Sequence, residues 1–163
     1  AILPGTWVLF EDVQKPDNDQ GKQMYKNDQL RGLLSNLRKW GQIESTKNVS
    51  HASRFHIARE VIAEKVCPAF ASFLEVKKEY VMLPSAIEFN ILGNLWYPKL
   101  GEANTAEWLR DDFIDKDKNI HCLTGGNAFN ESNGLAGTNF YRPNFKSGQI
   151  GFRVMIVFPQ KPR

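Results

Sequence analysis

The chain has 163 residues, of which 21 are basic and 18 acidic, giving a net charge of +3. This length favours one domain with a core large enough to fold without disulfides. With 24% charged and 42% hydrophobic residues, the composition excludes a mainly disordered chain. No apolar run approaches the roughly 18 residues of a membrane span, and the opening AILPGTWVLF shows no signal-peptide pattern. Basic and acidic residues are interleaved, so we expect no nucleic-acid partner.

The first predicted element is a strand over residues 4–10, followed by a polar loop over 11–26. A helix follows, because apolar residues recur at helical spacing at Leu30, Leu33, Leu34, Leu37 and Trp40. We expect Asn27 to cap this helix and Gly41 to end it. Its basic residues are interpreted as a solvated face: Arg31, Arg38 and Lys39.

Two further helices are predicted in the middle of the chain. The second is marked by Val66, Ala69, Phe70, Phe73 and Leu74, with Pro68 in its first turn. The third begins with a capping box, because Ser85 is followed three residues later by Glu88, and Gly93 is its expected end.

The last part of the chain changes character. Residues 124–148 are rich in Gly, Asn, Thr and Ser, which predicts mostly turns and loops. Residues 149–158, QIGFRVMIVF, predict one strand that is buried on both faces. The order of strand, helices and a loop-rich end closed by a strand predicts an α+β fold over residues 1–163.

Several segments, in this order, resemble the formylglycine-generating-enzyme family, whose fold is a variant of the C-type-lectin fold. They are Pro4–Trp7, Glu64–Phe73, Leu83–Phe89, Asn104–Trp108 with Asp111, Gly125–Phe129, and Ile150–Arg153. The resemblance implies a compact single domain of that fold.

The resemblance also implies two possible metal chemistries, and the residues argue against both. Copper enzymes of this family hold the metal through a cysteine pair in the C-terminal region, but the chain has no cysteine after Cys122. Iron-dependent relatives use histidines, and we interpret His51 and His56 as surface or core residues. We therefore expect no catalytic residues, no cofactor and no metal.

Other residues have structural interpretations. Glu107 needs a partner if it is buried, Trp108 can anchor a core, and Arg153 in an apolar strand is expected to meet a carboxylate or backbone carbonyls. Cys67 and Cys122 are 55 positions apart, and free thiols are favoured over a disulfide.

An acidic stretch offers oxygen ligands with the alternate spacing of a calcium loop at Asp111, Asp112, Asp115, Asp117 and Asn119. Lys116 and Lys118 interrupt it, and no glycine or bidentate glutamate follows at the required distance. A solvated loop is therefore favoured over a calcium site.

The loop-rich segment is the best functional candidate, because aromatic, Arg, Asn and Ser side chains favour recognition. The predicted ligand-binding residues are Asn127, Phe129, Asn130, Ser132, Asn133, Asn139, Phe140, Tyr141, Arg142 and Asn144. We predict a non-enzymatic module that binds a protein or a glycan. In this fold family, proteins diversified by retroelements vary in the same segment.

Two alternatives are a divergent metal-dependent oxidoreductase of the same family and a structural or assembly subunit. The compartment and oligomeric state stay open, with an extracellular, cell-surface or virion location favoured.

Overall fold

Seven strands and three helical regions make up residues 7–126 and 138–158, the part of the chain that the computed structural model describes. The strands are β1 Trp7–Phe10, β2 Val81–Met82, β3 Ala106–Ile114, β4 Ile120–Gly126, β5 Thr138–Tyr141, β6 Ile150–Phe152 and β7 Met155–Phe158. The helices are α1 Arg31–Lys39, α2 Arg59–Val61 and α3 Cys67–Phe73, which are joined by the π-helical turn Ile62–Val66, and α4 Ala86–Leu95.

The strands form two sheets. The smaller sheet has the order β1-β7-β2 and is antiparallel. The larger has the order β5-β4-β3-β6, in which β3 and β6 are parallel and the other pairs antiparallel. The predicted single α+β domain is confirmed, and within the described ranges no helix is long and apolar enough to cross a membrane.

Two buried clusters hold helices against the sheets. The main core joins α1, the α2–α3 region and both sheets through Leu34, Leu37, Ile62, Val66, Phe70, Val81, Trp108 and Phe152. A second core packs α4 against the strands through Phe89, Leu92, Leu100 and Leu109. Fully burying each such side chain contributes about 1.5–3 kcal/mol, so these clusters dominate the stability of the fold.

The first helix is where predicted, but its N-terminus differs. Asn27 has φ +54° and does not cap the helix; the Asp28 carboxylate accepts from the Leu30 N–H at 2.8 Å instead. Gly41, at φ +72°, follows the helix as predicted. The prediction of a solvated basic face is wrong for Arg38, which is buried and donates to the Ser53 and Phe55 carbonyls.

The other two helical regions are longer than predicted. The second begins at Arg59 rather than near Val66, and α4 continues past Gly93 to Leu95. The capping box is confirmed, since the Ser85 hydroxyl accepts from the Glu88 N–H and the Glu88 carboxylate accepts from the Ser85 N–H.

The predicted strand 149–158 is wrong as a single strand. Residues Arg153 and Val154 separate β6, in the larger sheet, from β7, in the smaller one. The Arg153 guanidinium contacts Glu107 at 3.2 Å and the Val13 carbonyl at 2.9 Å, as the sequence predicted. Residues 124–148 also contain more strand than predicted, since β4 runs to Gly126 and β5 lies within the segment.

Candidate functional site

The predicted binding segment falls partly within the described residues. Five of the predicted residues lie outside them, namely Asn127, Phe129, Asn130, Ser132 and Asn133. The other five are described: Asn139, Phe140 and Tyr141 lie in β5, and Arg142 and Asn144 lie in the turn that follows it.

The Tyr141 side chain packs against the core. It is half-buried, lies opposite Cys122 of β4 and packs edge-on against Trp108 with 5.9 Å between ring centroids. Its outer side stacks on Phe145 at 4.5 Å. Burial raises the pKa of the Tyr141 hydroxyl. Tyr141 therefore fixes β5 against the core, and its role as a contact residue stays a prediction.

Phe140 faces the opposite way and is 57% exposed. Its ring lies 5.8 Å from that of Phe113 in β3 and 5.3 Å from the imidazole of His121 in β4. Phe113 is itself 47% exposed and lies directly across from His121. Three neighbouring strands thus present three contacting rings on one face, an arrangement within the geometry of favourable aromatic pairs.

The other face of the same strands is also apolar at this end. Ile114 and Ile120 lie opposite each other and are 64% and 51% exposed. Because successive strand residues point to opposite faces, Phe113 and Ile114 cannot share a face. We call this region the distal sheet end and define it by Phe113, Ile114, Ile120, His121 and Phe140.

A polar groove borders the distal sheet end. It is open and shallow, with a volume of about 700 Å³, and is lined by Glu60, Lys118, Asn119, Ile120, Arg142, Pro143 and Asn144. The apolar Ile120 joins it to the distal sheet end, so predicted residues Arg142 and Asn144 lie beside the exposed apolar side chains.

The turn between β3 and β4 is organised by one carboxylate. Asp115 accepts from the backbone N–H groups of Asp117 and Asn119 at 2.9 and 2.8 Å, and contacts His121 Nε2 at 2.9 Å. The hydrogen bond with His121, followed by those with Asn119, holds the pKa of Asp115 well below its usual range. This carboxylate therefore acts as the hydrogen-bond acceptor that organises the turn.

The remaining metal and redox candidates are dispersed. Over residues 7–126 and 138–158, no group of three or more His, Cys, Asp or Glu side chains is placed to hold a metal. Both cysteines are free and buried, and burial raises the pKa of Cys67 to about 12. Such thiols are poor nucleophiles, because the thiolate is the reactive form.

Sequence reasoning missed four residues of the distal sheet end, which are Phe113, Ile114, Ile120 and His121. A signal was present, since the apolar Phe113 and Ile114 precede the polar stretch Asp115–Asn119 and the apolar Ile120 follows it. Apolar residues on both sides of a short polar turn are typical of a β-hairpin.

Comparison with known proteins informs on the fold. No model of a known protein family matches the sequence, and no curated protein matches it either. The crystal structure of CarF is similar, with a TM-score of 0.58 and 11% sequence identity over 79% of this chain and 83% of that chain. At this identity the similarity concerns the fold, and it agrees with one compact α+β domain.

Proposed function

We propose that the chain is a non-enzymatic binding module that binds a protein through the distal sheet end. One observation carries the proposal: this end of the larger sheet exposes large apolar side chains on both of its faces, Phe113 and Phe140 on one and Ile114 and Ile120 on the other. Single exposed apolar residues are common, but a contiguous group marks an interaction site.

The two-sided arrangement favours a protein over a glycan as the ligand. A sugar ring stacks on aromatic side chains from one side, which leaves Ile114 and Ile120 in water. A protein that surrounds the strands covers both faces and gains burial from each. The neighbouring polar groove, with Lys118 and Arg142, supplies the polar rim that protein interfaces have around an apolar centre.

We also infer that the fold is a compact variant of the C-type-lectin fold. In support, Leu83–Phe89 forms the capped start of α4, Glu107 and Trp108 are buried in β3, and Arg153 follows β6 and contacts Glu107. Three of the segments that resemble the family thus contribute to the helix cap and the buried ion pair of the described fold. An experimental structure in which they fail to superpose on that fold would refute this inference.

The binding site is testable with peptides selected from a phage-displayed random library on the intact protein. We expect apolar peptides whose affinity falls at least tenfold on Phe113→Ser or Phe140→Ser, since both substitutions remove exposed aromatic contacts. Isothermal titration calorimetry with the selected peptides measures the loss. Ile120→Ser is expected to weaken the same peptides if both faces are covered.

The matched control is Phe73→Ser, because Phe73 is 74% exposed but lies in α3, away from the distal sheet end. Peptides that lose affinity equally with this variant argue for general stickiness. If Phe113→Ser and Phe140→Ser leave the affinity of the peptides unchanged, the proposed site is refuted. Binding to a glycan array that depends on Phe140 but not on Ile120 would favour a sugar ligand.

A further inference from the structure

Lys15 lies between two cavities, outside the distal sheet end. Only 5% of the residue is exposed, although it lines both cavities. The first cavity, of about 290 Å³, is also lined by Asp12, Val13, Gln14, Trp96, Tyr97 and Leu100. The second, of about 210 Å³, is lined by Gln14, Asp17, Glu102 and Ala103.

The Lys15 ammonium has few partners for a buried charge. It donates to the Thr105 carbonyl at 2.7 Å, its one hydrogen bond to the described residues. Gly126, at φ +90°, leaves it room, since a Cβ there would lie 2.7 Å from Nζ. Burial lowers the pKa of Lys15 to about 8, although the charge of Glu107 opposes the shift. A sizeable fraction is therefore the free amine near neutral pH, the form that attacks carbonyl carbons.

The residues that line the two cavities indicate the chemical class of the ligand. Val13, Trp96 and Leu100 give the first cavity an apolar lining, which suits a small uncharged molecule. The carboxylates of Asp12, in the first cavity, and of Asp17 and Glu102, in the second, disfavour an anion beside the lysine. A neutral molecule with an electrophilic carbon meets both conditions.

We propose that Lys15 captures a small aldehyde that enters the first cavity and holds it as a reversible imine. The ammonium first gives one proton to water. The amine lone pair then forms a bond to the carbonyl carbon, giving a carbinolamine. This intermediate takes up a proton and loses water, which leaves a protonated C=N bond. Charge is conserved, so the attraction between this position and the Glu107 carboxylate is retained.

Reductive trapping tests the proposal. The intact protein is incubated at pH 7.5 with benzaldehyde and cyanoborohydride, which reduces a protonated imine to a stable secondary amine. Peptide mapping by mass spectrometry then quantifies the modification at each lysine. We expect Lys15 to be modified at least tenfold faster than the exposed Lys39 and Lys116. Modification of Lys15 that is no faster than theirs, or that needs prior unfolding, overturns the proposal.

Two variants separate cavity binding from amine reactivity alone. Trp96→Ala removes an exposed wall of the first cavity, so we expect several-fold slower modification of Lys15 and no change at Lys39. If Lys15 is modified at the same rate in the wild type and in Trp96→Ala, the first cavity does not hold the aldehyde. Lys15→Arg keeps the charge and cannot form the imine, so its remaining modification gives the background. Circular dichroism verifies that both variants are folded, and the wild-type map decides the question without them.

Discussion

Several charged side chains are buried in the core of this molecule. Arg54, Glu107 and Arg153 are each almost completely buried, and each has an oppositely charged partner. Burial by itself raises the pKa of Glu107, but the charges of Arg153 and Lys15 and the Tyr25 hydroxyl hold it below its usual value. Each residue is thus tolerated because of its neighbours, whereas Lys15 donates one hydrogen bond within the described part of the chain.

The pH dependence of the free energy of unfolding should reveal the titration of Lys15. Its pKa is about 8 in the folded chain, against 10.5 for an ordinary lysine, so above pH 8 the unfolded state binds more protons than the folded state. The free energy of unfolding therefore gains about 1 kcal/mol from this residue between pH 7.5 and 9. Urea unfolding of the wild type and of Lys15→Met measures the gain, because other groups titrate alike in both proteins. If the free energy of unfolding changes with pH in the same way in both proteins, the lysine does not titrate in this range.

At the scale of elements, α4 has the best-defined boundary. The Ser85 hydroxyl and the Glu88 carboxylate satisfy two N–H groups at its start, and the Asp111 carboxylate accepts from Ala86 N–H. These bonds join the helix to β3, on which Asp111 lies. The helix start thus depends on both local sequence and tertiary contact.

Ser85→Ala should lower the free energy of unfolding by about 1 kcal/mol, because the Glu88 N–H loses its acceptor. Chemical denaturation followed by circular dichroism measures the change. Ser72→Ala is the matched control, since Ser72 is exposed within α3, and we expect less than about 0.5 kcal/mol of change there. A loss of similar size in both variants would count against the cap.

The elements that were predictable from sequence are those whose signals are local. The Ser85–Glu88 cap and the leucine spacing of α1 depend on residues within a few positions of each other. The break at Arg153 was not predictable, because it depends on Glu107 and on carbonyls more than 100 positions earlier. Tyr141 was predicted as a ligand contact because the composition of its segment is typical of recognition surfaces. The direction of its side chain depends instead on the pairing of β5 with Cys122 of β4.

At the scale of the whole molecule, Glu107 joins distant parts of the chain. Its carboxylate accepts from Tyr25 at 2.7 Å and pairs with Arg153, which also donates to the Val13 carbonyl. The N-terminal segment, the loop before α1, β3 and the link between β6 and β7 therefore meet at one buried group. This arrangement fixes the relative position of the two sheets.

Glu107→Gln should destabilise the fold by about 3–5 kcal/mol, because the buried Arg153 loses its carboxylate while the shape of the side chain is kept. Thermal or urea unfolding measures the difference. Glu102→Gln serves as the control, since Glu102 is exposed, and should change the stability by less than about 0.5 kcal/mol. Wild-type stability in Glu107→Gln would mean that the pair fixes geometry without contributing free energy.

The strand order β1-β7-β2 has a consequence for how the chain acquires its structure. Both outer strands of this sheet pair with β7, so neither has its partner until residues 155–158 have been synthesised. During synthesis, Trp7 and Leu9 stay without their partner strand until the residues between β1 and β7 have been made. Contacts this distant in sequence slow folding, and they extend the time during which unpaired strands can aggregate. The position of this four-residue strand in the sequence thus delays the completion of the whole smaller sheet.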